Sequence, residues 1–379
     1  MRESGRGPER AYLSLRTGRG GARAAIGACV THFPLRLRLD GAALVSNWRW
    51  LAEQSGSAAC GAAVKANGYG TGAADVVERL LAAGCRDFFV ATWNEAEALL
   101  ASVRGGLGPA GLSVLHGVQE PDLARALPSP ARPVLNTPLQ VRRWREAGEG
   151  RPCDVMVDTG MNRLGVSPAD VAGGLLDGLA IDTLMSHLAC ADEDSALNAR
   201  QRALFGQMSA AVLARRRSLA NSAGICLGEA YRFDLTRPGL ALYGGIPRAE
   251  AAGHIKPVVA VDAQVLQRRR VQPGETIGYN ATYVAERPIE VAILNIGYAD
   301  GYLRGFSGTG RATAGEAVLP VLGRVSMDLT AVGVDAAPGI AEGDWVVLDY
   351  DLPAASAQSG LSQYELLTGL GTRSARLWT

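Results

Sequence analysis

From Leu35 to about Gly245 the chain alternates between short apolar, β-branched runs and longer segments whose apolar positions recur at helical spacing. Residues 60–66, 87–92, 112–117, 132–137, 153–159, 181–187 and 219–224 read as strands, and an eighth lies within 233–245. Residues 74–84 read as a helix closed by Gly84 in the C′ position. A second helix reads as opened by Asn94, with acids in its first turn. Eight strands alternating with helices over about 210 residues predict a (β/α)8 TIM-like barrel. An open doubly wound sheet also alternates, but seldom reaches eight regular repeats in that length. After His254 the runs are β-rich and separated by Pro- and Gly-bearing turns, which predicts a C-terminal all-β domain. The expected organisation is a flexible N-terminal extension over 1–33, a barrel over 34–250 and a β domain over 251–379. The alternating "LRLRLD" of 35–40 fits a strand in either half.

Composition narrows the class. The sequence is 47% hydrophobic and 20% charged with a formal net charge of +1, so no general electrostatic reason exists to bind nucleic acid or an acidic membrane. Aromatics are only 6%, too few for a stacking platform. No apolar run approaches the about 18 residues of a membrane span. Cys29, Cys60, Cys85, Cys153, Cys190 and Cys226 are scattered without a C-x-x-C pair. Neither a metal site nor a disulfide framework is suggested, and free thiols point to a reducing, cytoplasmic compartment. The Arg- and Gly-rich first 33 residues lack the apolar core of a secretory signal.

Barrel chemistry collects at the C-terminal ends of the strands. Those ends carry Lys65 and Asn67 after the first strand and Asp158 then Arg163 after the fifth. His187 ends the sixth, Asn221 and Ser222 the seventh, and Arg237 with Gly239 the eighth. Any one of them alone is ordinary: a lysine at a strand end usually reaches solvent, and a lone histidine is usually a hydrogen-bonded core residue. Gathered on one rim they make a site. The glycine- and serine-bearing segments after strands seven and eight suit a phosphate, and a lysine amine opposite them implies a phosphorylated aldehyde cofactor held covalently. Pyridoxal phosphate is the obvious candidate.

The blocks "AAVKANGYG", "VDTGMNRLGV", "MSHLACAD", "RPGLALYGG", "IGYNATYVAE", "IGYADGY" and "LGRVSMDLT" run in order from Ala62 to Thr330. In these the chain closely resembles the pyridoxal-phosphate-dependent alanine racemases, built as a barrel plus a β domain. The resemblance implies interconversion of L- and D-alanine, supplying D-alanine for peptidoglycan, by a homodimer whose subunits share active sites. It implies Lys65 as the cofactor lysine and one acid/base, and Tyr279, lent by the partner subunit, as the other. Arg163 and the backbone at Met327 would bind the substrate carboxylate. Tyr69, Ser222, Gly239, Leu240 and Tyr364 would surround the phosphate. Arg237 would face the ring nitrogen with His187 beside it, and Tyr298 would line the entrance. The chain departs from the pattern at Met156, where many members carry a carbamylated lysine that steadies the arginine, and at Thr71, where a histidine is usual. The resemblance leaves Arg163 to be oriented by Asp158, an anion or a rearranged loop. The rivals are a racemase of broader specificity, a barrel decarboxylase, and a non-catalytic barrel that only carries pyridoxal phosphate. The last would lack both the β domain and Tyr279.

Overall fold

Runs buried on both faces make parallel strands, because helices cover the outer face of the sheet and side chains fill the inside. Residues 33–379 are described by a computed structural model, and the extension expected over 1–33 lies, Phe33 apart, outside the described residues. Seven parallel strands follow in chain order: Ala62–Ala63, Asp87–Val90, Gly111–Val114, Arg132–Leu135, Cys153–Met156, Ile181–Met185 and Ala214–Ser218. An eighth, Leu235–Thr236, pairs in parallel with Ala59–Cys60, the first part of the opening strand. On its other side Asp234 N donates to Arg217 O at 3.0 Å and Arg237 N to Ala220 O at 2.8 Å. The eighth strand thereby closes the ring, and the barrel expected from the alternation is the fold observed.

Two local expectations are corrected. The seventh strand is Ala214–Ser218, not 219–224, where the chain leaves the sheet and enters the one-turn helix Ser222–Cys226. Three successive arginines hide that strand from any hydrophobic pattern; Arg216 reaches across the barrel to carboxylates on strands two and six. The helix Trp93–Ser102 is capped by Thr92 rather than Asn94. Thr92 Oγ1 accepts from Glu95 N, and Glu95 returns a bond to the cap backbone.

The barrel interior is layered. Phe89, Val134, Met156, Met185 and Leu235, each from a different strand, form an apolar layer separate from the main core. Towards the N-terminal ends of the strands lies an ion network. Arg216 grips Asp87 with two bonds of 2.7 and 2.9 Å and reaches Asp182 at 2.9 Å. Arg132 joins Asp154 and Asp182, both at 3.3 Å. Asp154 accepts from Ser113 Oγ at 2.6 Å and from Thr183 N at 3.0 Å. Burial pushes the Asp154 carboxyl above its ordinary value despite Arg132 and Ser113. Burial also pushes on Asp182, but there Arg132 and Arg216 outweigh it and hold the carboxyl below its ordinary value.

The second sheet is organised by the long strand Val259–Val271. Leu35–Leu39 pairs with it antiparallel and with Ala375–Trp378 in parallel, so both ends of the described chain enter this sheet. Arg36 and Arg38 share the buried Asp262, each Nε at 2.8 Å. The domain is sheet-rich as expected but also holds two short helices, Leu352–Ser359 and Gln363–Thr368, each opened by an Asp or Ser cap. The second seats on the barrel: Gln363 exchanges hydrogen bonds with both backbone groups of Ile246, at 2.8 and 3.0 Å.

Because Arg216 neutralises two mostly buried carboxylates at once, Arg216→Ala leaves both without it. The substitution is expected to destabilise the protein by about 3 kcal/mol, read as a lower urea midpoint. A shift within error would show that the network contributes nothing net.

Candidate active site

Beyond the apolar layer, at the C-terminal ends of the strands, lies a cavity of about 480 Å³. Eleven residues singled out from sequence line it: Lys65, Tyr69, Asp158, Arg163, His187, Asn221, Ser222, Arg237, Gly239, Leu240 and Tyr364. Met156 lines it too, as part of the apolar floor.

Lys65 is one of only two lysines in 379 residues, the other being the exposed Lys256. It follows the first strand immediately, and the chain then does something rare. Ala66, Asn67, Gly68 and Tyr69 all have positive φ, between 52° and 63°. For the three that carry a Cβ this is strained by on the order of 1 kcal/mol each, so neighbours must hold it. Asn67 Oδ1 accepts from Ala73 N at 3.0 Å, and Thr71 Oγ1 donates to Gly68 O at 2.6 Å. The buried Thr71 is therefore a brace of the lysine turn. Burial pulls the Lys65 amine below the ordinary lysine pKa, Arg163 adds to the effect, and Glu95 opposes it.

The turn swings Tyr69 back beneath the lysine, where its ring stacks on Tyr243 at 4.7 Å and lies 6.4 Å from Tyr364. A Cβ at position 239 would meet Tyr69 Oη at 2.2 Å, so only glycine lets this backbone approach. Ser222 Oγ accepts from Gly239 N at 2.9 Å and Ala241 N at 3.2 Å, tying the segments after strands seven and eight together. Tyr364 arrives from the C-terminal helix of the same chain.

Arg237 is buried. Its Nη2 donates to Ser186 O at 2.7 Å, its Nη1 to Ser218 Oγ, and its guanidinium lies 6.0 Å from the Phe89 ring centre. Burial lowers its pKa to about 10 while Asp154 works against that, so it stays charged near neutral pH. His187 is only partly screened from the cavity, yet desolvation and the charges of Arg237, Arg163 and Lys65 lower its pKa to about 3. It is a neutral imidazole.

Arg163 is exposed on the loop 158–165 and carries no hydrogen bond or ion pair among the described residues. Asp158 does not orient its guanidinium. Asp158 Oδ1 instead accepts from Gly160, Met161 and Asn162 N at 2.8–3.2 Å, shaping the loop's backbone. His116, which the sequence pattern did not single out, also lines the cavity; the polar residue closing the third apolar run was its only signal.

Three predicted residues lie elsewhere. Tyr279 is 64% exposed and Met327 54%, beside a hollow of the second domain lined by Ile277, Gly278, Arg324, Ser326 and Leu329. Tyr298 adjoins them, its N–H donating to Ser326 O at 3.0 Å while Ala299 N donates to Met327 O at 3.0 Å. None of the three touches the cavity of its own chain.

Residues 39–247 match the alanine racemase N-terminal domain family and residues 258–378 the alanine racemase C-terminal domain family. The alanine racemase of Acidiphilium cryptum is 42% identical over 353 residues, which is 90% of this chain and 98% of that protein. That of Methylobacterium nodulans is 43% identical over 352 residues, 89% and 94% of the two chains. The crystal structure of alanine racemase from Bartonella henselae with covalently bound pyridoxal phosphate superposes with a TM-score of 0.84 at 33% identity. It covers 91% of this chain and 99% of its own.

The unfolded chain protonates His187 near 6.5 and the folded chain only near 3. Stability from keeping it neutral is thus complete above pH 6.5 and declines as pH falls from 6.5 towards 3. His187→Gln is expected to flatten that arm, so that its urea midpoint drops less between about pH 7 and pH 4.5 than the parent's. Parallel losses in both proteins would contradict the lowered pKa.

Proposed function

The chain belongs to the alanine racemase family, and we propose that its barrel cavity, completed by a second copy of the chain, interconverts L-alanine and D-alanine with pyridoxal phosphate held on Lys65. One observation carries the reading: a desolvated lysine amine, a backbone cradle that a Cβ at Gly239 would fill, and a buried arginine face one cavity. These residues fit the cofactor. Ser222, Gly239, Leu240, Tyr69 and Tyr364 would hold its phosphate, Lys65 its aldehyde carbon, and Arg237 would face its ring nitrogen with His187 alongside. When bound, pyridoxal phosphate supplies an electron sink conjugated to the α-carbon of the amino acid.

The chain's own groups divide the remaining work. Lys65, with its lowered pKa, has more neutral amine near pH 7 than a solvated lysine and can take the α-proton from one face. Inversion needs a second acid/base on the other face, which Tyr279 of the partner subunit would supply. Exposure of Tyr279 and Met327 outside their own cavity supports this reading, since neither lines the cavity of its own chain. Arg163, unpaired among the described residues, would take the substrate carboxylate together with the backbone at Met327 of the partner subunit. Arg237 stays protonated and offers N–H donors rather than a transferable proton, which keeps the sink weak. Tyr298 would line the entrance. Among the described residues no helix is long and apolar enough to cross a membrane, and Cys60, Cys85, Cys153, Cys190 and Cys226 are free. The free thiols support a reducing compartment such as the cytoplasm, while the homodimer and the use of its D-alanine in peptidoglycan rest on the family resemblance.

Purified protein is expected to show a visible absorption band lost on borohydride reduction, with the added mass on Lys65. A mass on Lys256, or none, rejects the reading. With α-deuterated alanine, Tyr279→Phe is expected to slow proton removal from L-alanine about 100-fold and to spare D-alanine much more. Equal, small losses for both enantiomers would remove Tyr279 from the reaction.

A further inference from the structure

The carboxylate of Glu95 sits where two barrel loops meet. Glu95 lies in the first turn of the helix Trp93–Ser102, which follows the second barrel strand. Its Oε2 accepts from Ala91 N at 2.6 Å and Thr92 N at 3.2 Å, the ordinary reach of a capping box. Its other oxygen leaves the helix altogether. Oε1 accepts at 2.6 Å from the backbone N–H of Ala66, the residue directly after Lys65.

Ala66 opens the left-handed run, and a run of L-residues at positive φ persists only where its surroundings over-determine it. The far end of the run is anchored by Arg376, whose Nε donates to Gly70 O at 2.8 Å. The middle is braced by Asn67 and Thr71. The end that carries the lysine is anchored by Glu95. A helix cap needs only one carboxylate oxygen, and the second binds the Lys65–Ala66 peptide, one of the two peptide groups whose rotation would swing the Lys65 side chain.

We propose that Glu95 is a positioning residue for Lys65, its carboxylate fixing the strained turn through Ala66 and so aiming the amine into the cavity. The inference rests on Lys65 carrying the cofactor. The charged groups that face the amine are Arg163 and Glu95, with His187 neutral across the cavity. Glu95 is the one of these that favours the protonated amine.

Two substitutions separate tether from charge. In Glu95→Gln the amide has a single acceptor, and the two donors at Ala91 and Thr92 claim it, leaving NH₂ opposed to Ala66 N–H. Glu95→Asp keeps the charge and the cap but is one methylene short of Ala66. In the full chain freed of cofactor, hydrogen exchange of the peptide containing Ala66 is expected to quicken in both variants. Acetic anhydride labelling against pH, with Lys256 as internal reference, should show the Lys65 midpoint falling in Glu95→Gln and holding in Glu95→Asp. Capture of added pyridoxal phosphate, trapped by borohydride and located by mass on Lys65, is expected to slow about tenfold in both. Exchange and capture at the parent's rates in a folded Glu95→Gln protein would overturn the proposal; should that variant not fold, Glu95→Asp decides by the same two rates. If the parent itself traps no cofactor on Lys65, the cofactor reading falls, and this inference with it.

Discussion

A lysine amine can be aimed only as accurately as the backbone beneath it, and here that backbone is held in a left-handed turn over four residues. The strain is tolerated because bonds converge on the turn from separate parts of the fold. Asn67 and Thr71 act from within, Glu95 from the second loop, and Arg376 from the last strand of the other domain. The same turn delivers Tyr69 to the stack with Tyr243 and to its contact with Gly239. Lysine, the backbone cradle at Gly239 and domain junction are thus one mechanical unit. Gly70 belongs to it as well, since a Cβ there would lie 2.5 Å from Leu367 O.

Electrostatics follows from the layering. Three cationic groups, Lys65, Arg163 and Arg237, converge on one cavity while His187 stays neutral. A surplus of positive charge suits a ligand with a phosphate and a carboxylate, which would neutralise it. Beneath the apolar floor the sign is balanced differently, with Asp87, Asp154 and Asp182 shared between Arg132 and Arg216. Asp154 still acts on Arg237, raising the pKa that burial lowers. Met156 belongs to that floor, where a charged side chain would be desolvated among Phe89, Val134 and Met185. Methionine is at home there, and Arg163 is left without a partner among the described residues.

The proposed pairing of two chains would bring together a cavity whose rim arginine is unpaired among the described residues and a second domain that exposes a tyrosine and a methionine beside a hollow. Reaction on two faces of one carbon demands two acid/base groups, and a single barrel presents only one face of its rim. Under the proposed function a second copy of the chain would supply the other.

Much of this was legible in the chain itself. The eight-fold alternation, the lysine ending the first strand and the change of texture after His254 are short-range patterns, written by which residues face the core at period 2 or 3.6. Lys65, Asp158, Arg163, His187, Asn221, Ser222, Arg237 and Gly239 were legible because strand ends converge in any closed barrel; Tyr69, Leu240 and Tyr364 came only from the family resemblance. What the tertiary structure decided depends on partners far away in sequence. The arginine-rich seventh strand is stable only because Asp87 and Asp182 meet Arg216 across the barrel. The strand Leu35–Leu39 joined the second sheet because Val259–Val271 and Ala375–Trp378 offered it two edges. Glu95 looked like a helix cap and became a tether because closure of the ring set Ala66 beside it. Local pattern chooses the elements; contacts between residues distant in the chain choose what each side chain is for.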